Sequence, residues 1–216
     1  MKDWLTARRL DSLYTALQQR LSPHRVLHTL GASQMAVRLA AVWDVDPHEA
    51  LAAALLHDIG KEIDGEDQWA RIARAGVEVD PEDRDFPGIW HAILGEAIAK
   101  EEFEIASPRV LRAIRLHPTG DDNAGDLERI VYLADYIEPA RCFEGVGELR
   151  LLAETDLTAA YDKAVIRKTN HILQGNKRRH PRSKRARLAA EQRLRRSEPE
   201  KTAAAGEGRR GAGEAG

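Results

Sequence analysis

The 216 residues, 43% hydrophobic and 31% charged, suffice for one domain with a sizeable core, and no apolar run approaches the roughly 20 residues of a membrane span. The net charge of −2 hides a division: residues 177–216 hold 13 Lys or Arg against 5 Asp or Glu, so the first 176 hold 20 against 30, a net of −10. So acidic a body is a poor general nucleic-acid binder, because phosphate contacts need basic surface; a polyanionic ligand must be met by a few placed cations, metal ions first among them.

The chain opens on Met1-Lys2-Asp3-Trp4, with an acid and no apolar segment. No secretion signal is expected there, and cytoplasm is the default compartment. Trp4 to Leu21 carries Leu5, Leu10, Leu13, Leu17 and Leu21 at helical spacing and reads as an amphipathic helix packed on the domain. Ser22-Pro23 opens a second helix, with Ser22 as cap and Pro23 in the first position. It runs to about Trp43, with Val26, Leu27, Leu30, Met35, Val37 and Leu39 expected inward. Arg25 and His28, three apart, share one side of it. Asp46-Pro47 starts a third helix, ending in the run to His57 and Asp58. Gly65 to Arg74 reads as a short helix, and the acidic stretch Gly76 to Pro87 as a loop.

Trp90 to Phe103 is helical again, with His91 near its start. Ser107-Pro108 repeats the cap-then-proline opening; Val110, Leu111, Ile114 and Leu116 lead to His117, where Pro118 stops the helix. Pro118 to Gly125 is a polar turn. Asp126 to Ile137 sets Leu127, Ile130, Val131, Leu133 and Ala134 around Asp135, and two further helices cover Val146 to Ala153 and Leu157 to Leu173. Two-residue alternation never persists, so the expected fold class is all-α. Beyond Gly175 the Arg/Lys-rich run to Arg196 can extend as a solvated helix, and Ser197 to Gly216 is expected to be disordered. The basic run has two readings, a soluble charged tail or a weak electrostatic tether to RNA or another acidic surface. The lone Cys142 cannot form an internal disulfide and is given no role.

The chemistry gathers around Ala52-Ala53-Ala54-Leu55-Leu56-His57-Asp58-Ile59-Gly60-Lys61. Burying an acid beside an imidazole costs several kcal/mol unless something pairs with it. A divalent metal does so readily, since imidazole and carboxylate both ligate Mn, Fe, Zn or Ni. Neighbours on a helix diverge by about 100°, so the pair can share a site only from a helix end, and Gly60 is placed to be that end. Of eight histidines, His28, His57, His91 and His117 sit in or beside apolar helical stretches, as do Asp58 and Asp135. His24, His48 and His171 lack matching partners and read as ordinary. Six N/O ligands suit two divalent ions sharing a carboxylate, an arrangement that serves phosphoester and phosphoanhydride hydrolysis.

The order His28, His57-Asp58, Asp135 resembles the H…HD…D signature of the HD-domain metal-dependent phosphohydrolases. Four strings narrow the likeness: Arg25-Val-Leu-His28-Thr-Leu-Gly31, Leu55-Leu-His-Asp-Ile-Gly-Lys61, Ala113-Ile-Arg-Leu-His117 with Thr119-Gly120, and Leu133-Ala-Asp-Tyr-Ile-Glu-Pro-Ala-Arg141. They resemble the YqeK-type branch, the symmetrical bis(5′-nucleosyl)-tetraphosphatases, which cleave diadenosine tetraphosphate into two ADP. The likeness spans roughly Ser22 to Pro181, including His180-Pro181. It implies a helical HD bundle over 22–176; the packed helix in 1–21 and the basic tail in 177–216 are read from the residues alone, and nothing of the likeness transfers to the tail.

The resemblance further implies one metal on His28, His57, Asp58 and Asp135 and a second on His91 and His117, with Asp58 bridging. It implies iron, whereas ligand type alone leaves Mn, Zn and Ni open. The expected reaction is in-line attack on one phosphorus by a hydroxide held between the ions. Asp58 and Lys61 are the expected catalytic residues. Arg25, Lys61, Arg141, Thr119 and Gly120 are expected around the substrate's phosphates, the last two through backbone amides, and Glu138 is a candidate to orient a metal ligand. The substrate would be a small dinucleoside polyphosphate, the enzyme a monomer or homodimer. Two alternatives stand beside this reading. One keeps the site but acts as a nucleotidase or on a cyclic dinucleotide or alarmone. The other is a non-enzymatic binding module that docks on RNA or ribosome through the basic run.

Overall fold

Every regular element among the described residues, 6–174 and 178–207 of the computed structural model, is a helix. In chain order they are α1 (Ala7–Arg20), α2 (Pro23–Val42), α3 (Pro47–Leu56), α4 (Gly65–Arg74), the single turn α5 (Pro81–Arg84), α6 (Trp90–Glu101), α7 (Pro108–Leu116), α8 (Asp126–Ile137), α9 (Val146–Thr155), α10 (Leu157–Gln174) and α11 (Pro181–Glu207). A 3-10 turn, Pro87–Ile89, leads into α6. None of these helices is long and apolar enough to cross a membrane.

The punctuation is chemical. Asp46 accepts from the His48 amide at 2.8 Å, Asp64 from the Glu66 amide at 3.0 Å, and Ser107 from the Val110 amide at 3.5 Å, so α3, α4 and α7 begin on side-chain acceptors. Ser22 does not cap α2 in this way. Its hydroxyl and amide both donate to the Glu62 carboxylate, at 2.6 and 2.5 Å, which ties the start of α2 to the segment beyond α3. Trp4 and Leu5, expected at the head of α1, lie outside the described residues; Leu13, Leu17 and Leu21 are buried as expected.

The core packs α2 against α3 and α8, with α7 behind α3 and α10 closing over α8. Alanine dominates the contact faces: Ala36, Ala40, Ala50, Ala52, Ala53 and Ala134 are all fully buried. Small side chains let helix axes approach closely. Leu17, Leu39, Leu56, Ile93 and Ile114 fill the remaining space, each contributing about 1.5–3 kcal/mol by leaving water. Leu27 and Leu30, expected inward, are instead 70% and 37% exposed. The first turns of α2 bury Val26, His28 and Thr29, so their inward face is spent on the site and its flank.

The basic run departs from the expected solvated tail. As α11 it packs along α10, with Ala186 and Ala190 fully buried. Its cations meet acids of the body: Arg182 with Asp80 and Asp83, Arg185 with Glu82, Arg193 with Asp162. The acidic stretch Gly76 to Pro87, expected as a loop, holds α5 and is the counter-charge that seats α11. Residues 208–216 of the Ala/Gly-rich end lie outside those described.

Candidate metal centre

Helices α3 and α7 end in the same way. His57 and His117 stand at their C-caps with right-handed helical backbone, and each ring folds back onto the carbonyl three residues earlier. His57 Nδ1 lies 2.7 Å from Ala54 O, and His117 Nδ1 lies 2.8 Å from Ile114 O. Those carbonyls belong to the last turn, where the helix leaves acceptors unbonded. A carbonyl can only accept, so each Nδ1 carries the proton and each Nε2 turns a lone pair to the interior. Histidines that hold metals are oriented by this kind of contact.

Five helices converge there. His28 of α2 places Nε2 3.1 Å from Asp135 Oδ1 of α8. His57 Nε2 lies 3.8 Å from Asp58 Oδ2 and 3.9 Å from Asp135 Oδ1. On the other side of Asp58, Oδ1 is 3.3 Å from His91 Nε2 of α6 and 3.5 Å from His117 Nε2, and those two nitrogens are 3.3 Å apart. Two triads result, His28-His57-Asp58 and Asp58-His91-His117, each with its donor atoms within 4.8 Å of one another. His57 Nε2 and Asp58 Oδ1 are buried without a hydrogen-bond partner. A divalent cation satisfies such orphaned donors, and the N/O set fits one.

The charges fit the same reading. Burial pushes His57 down to about 4 and His91 well below its ordinary value, so both are neutral ligands at pH 7. Burial favours a neutral Asp58, yet its carboxyl is held well below the usual carboxylate range, with the Lys61 ammonium among the causes. Asp135 is likewise held well below the usual range, burial being overcome chiefly by Lys168 and His28. His28 goes the other way: burial opposes its charge, but the Asp135 and Glu138 carboxylates raise it. Glu138 is buried, with Oε1 3.4 Å from His28 Nδ1 and Oε2 accepting from the Ala140 amide at 2.6 Å. It is placed to orient His28.

Around the donors lies a cavity of about 360 Å³ lined by Arg25, Lys61, Arg141 and Lys168, with His24 on its wall. Arg25 Nη1 lies 3.1 Å from Asp58 Oδ2. Lys61 Nζ lies 3.0 Å from His91 Nε2 and 3.6 Å from Asp58 Oδ1, so its ammonium shares donors with the second triad. Arg141 reaches Asp135 at 3.8 Å and Glu138 at 3.4 Å. Lys168 of α10, 3.2 Å from Asp135 Oδ2 and 4.6 Å from the Tyr132 ring centre, had no signal in the sequence beyond an unpaired lysine in an amphipathic helix. Thr119 and Gly120 do not serve as expected. Both amides donate to Leu116 O, at 3.1 and 2.9 Å, and the Thr119 hydroxyl is spent on Gly120 O at 2.9 Å. Gly120 instead makes a left-handed turn, φ +65°, where a Cβ would stand 2.6 Å from the Tyr161 hydroxyl.

A sequence model of the HD domain matches residues 25–140, just over half of the chain and the segment that holds all six donors. This chain belongs to the HD-domain family. Within it, a Bacillus subtilis protein named symmetrical bis(5′-nucleosyl)-tetraphosphatase is 36% identical over 155 residues, covering 72% of this chain and 83% of its own. One of the same name from Halalkalibacterium halodurans is 35% identical over 167 residues, 76% and 88% of the two chains. Among solved structures, an HD superfamily hydrolase from Clostridium acetobutylicum, described as involved in NAD metabolism, superposes with a TM-score of 0.80. It is 34% identical and covers 85% of this chain and 97% of its own.

In this HD domain α6 crosses the end of α3 at close range. A Cβ on Gly60 would stand 2.9 Å from the His91 backbone oxygen, so only glycine lets Asp58 and His91 meet. Gly60→Ala is expected to keep its helix content by circular dichroism while hydrolysis falls on the order of 100-fold, the usual cost of misplacing a reacting group by about 1 Å.

Proposed function

We propose that this chain is a metal-dependent hydrolase that cleaves diadenosine tetraphosphate symmetrically to two ADP. The observation that carries the reading is the pair of donor triads sharing Asp58, with orphaned Nε2 and Oδ1 atoms, under a cavity ringed by four cations. The names of the Bacillus and Halalkalibacterium relatives support the substrate. His28, His57, Asp58 and Asp135 would hold one divalent ion, and His91 and His117 with Asp58 the other. The resemblance supports iron, although the donors also accept Mn, Zn or Ni. When bound, such ions polarise phosphoryl oxygens and make water a nucleophile at neutral pH. Residues 22–176 carry the reaction, in the cytoplasm.

The chain's own part is to hold and neutralise the polyphosphate. Arg25 and Arg141 present planar guanidinium groups suited to bidentate phosphate contact, and Lys61 and Lys168 add point charges. Water adds to one inner phosphorus, the central bridging oxygen departs with the other half, and both halves leave as ADP. Cations fixed beside that oxygen favour the charge developing on it. Lys168→Ala is therefore expected to raise KM about tenfold, the loss of one charge-assisted contact, with ADP still the sole product; steady-state kinetics beside product analysis read both.

Product identification tests the reading. Diadenosine tetraphosphate should yield ADP alone; AMP with ATP, or release of inorganic phosphate from mononucleotides without turnover of the dinucleotide, would favour another nucleotide phosphohydrolase. Against a tether to RNA, Arg182, Arg185, Arg187 and Arg193 of the basic run already face acids of the same chain.

A further inference from the structure

Behind the second triad lies a buried carboxylate that the chemistry above does not use. Asp83, in the single turn α5, is fully buried. Its Oδ1 lies 2.9 Å from His180 Nε2 and 3.1 Å from Arg182 Nη2, both at the start of α11. Its Oδ2 lies 3.6 Å from Arg115 Nη2 of α7, and its backbone oxygen accepts from Trp90 Nε1 at 3.2 Å. Trp90 directly precedes His91, and Arg115 stands two residues before His117. Arg115 also donates from Nη1 to Glu96 of α6 at 2.9 Å, which ties the two histidine-bearing helices together.

Glu82, Asp83 and His180 have metal-ligand spacing of their own, but a cation is the wrong occupant. Guanidinium groups already face both oxygens of Asp83. The Arg182 amide donates to His180 Nδ1 at 3.1 Å, so the proton sits on Nε2, which therefore has no lone pair for a metal. The cluster, with Asp80 also on Arg182 at 2.9 Å and Glu82 at 3.6 Å, is an ion-pair node, although Asp83 Oδ1 and His180 Nε2 make no aligned hydrogen bond within it.

The node matters because His91 lacks an anchor of its own. His57 and His117 are oriented through Nδ1 by backbone carbonyls, and His28 by Glu138. Among the described residues, His91 Nδ1 meets only Lys61 Nζ, a donor, at 3.4 Å. Its placement falls to Trp90, whose indole donates to the Asp83 backbone oxygen, and to the Arg115–Glu96 bridge between α7 and α6, which the Asp83 carboxylate faces.

We propose that Asp83 is a positioning residue that sets the spacing of His91 and His117 and thereby the affinity of the second metal position. The proposal rests on the two-ion reading above. Titrating the metal-free full-length chain with Mn²⁺, followed by electron paramagnetic resonance, tests both and separates them. The wild type should take up two Mn²⁺ and give the signature of a coupled pair. Asp83→Asn should bind the first ion within threefold of wild type and the second on the order of tenfold more weakly, the usual effect of removing an outer partner of a ligand. It should therefore pass through an isolated-ion spectrum. Arg115→Gln should do the same, and Arg115→Lys less; Arg115 is partly exposed, so its variants carry the test if Asp83→Asn does not fold. Two wild-type ions with both affinities kept in the variants, or both weakened equally, overturns the positioning role alone. Fewer than two ions in the wild type overturns the two-ion reading and this role with it.

Discussion

Replacing Asp58 with alanine should abolish metal loading and hydrolysis together. Each carboxylate oxygen serves a different triad: Oδ2 faces His57 at 3.8 Å, and Oδ1 faces His91 and His117 at 3.3 and 3.5 Å. No neighbouring acid can take over. Asp135, the other carboxylate among the six, is engaged with His28 and Lys168 on the first side only. Removing Asp58 also leaves Arg25 and Lys61 facing the imidazoles without a counter-charge, so cations are repelled from the position they occupied. Loss of metal-assisted charge stabilisation is worth several kcal/mol, so turnover should fall by about 1,000-fold or more. Metal analysis and a product assay on the same preparation check it, with circular dichroism as the folding control. An Asp58→Ala protein that keeps full activity would rule out the assignment.

The second large effect is on stability. Arg193 of α11 binds Asp162 of α10 through two nitrogens, Nε to Oδ2 at 2.9 Å and Nη2 to Oδ1 at 2.7 Å, and also donates to Asp122 O at 3.2 Å. Asp162 is 1% exposed, while Arg193 is 31% exposed. Arg193→Ala would leave a buried carboxylate uncompensated, an error that costs about 3–5 kcal/mol in buried pairs. Partial exposure of the arginine keeps the loss at the low end, about 3 kcal/mol, which lowers Tm by roughly 6–12 °C for a chain of this size. Thermal unfolding measures it directly. A tail in solvent, as composition alone suggests, would leave Tm within a degree, and that result would undo the docking of α11.

What could be read in advance followed from local chemistry. Proline at the first position of α2, α3 and α7, polar caps before them, and acids or imidazoles at the ends of apolar runs are signals that a few consecutive residues carry. Hence the helices, and the four imidazoles and two carboxylates that the fold gathers around one cavity, are visible in sequence. What escaped depends on partners far apart in the chain. The charges of α11 looked like a tail because their acids, Asp80, Glu82, Asp83 and Asp162, lie up to about a hundred residues away. Lys168 was missed for the same reason, since only the crossing of α10 over α8 brings it to Asp135. Leu27 and Leu30 misled because helical spacing says which residues share a face and not which face is inward. Thr119 and Gly120 followed the motif, but the turn after α7 consumes their amides.

Anomalous diffraction from crystals of the Mn²⁺-loaded protein tests the central claim most directly. Two peaks should flank the Asp58 carboxylate, one among His28, His57 and Asp135 and the other between His91 and His117. No peak beside Asp58, or density only at Glu82, Asp83 and His180, would contradict it.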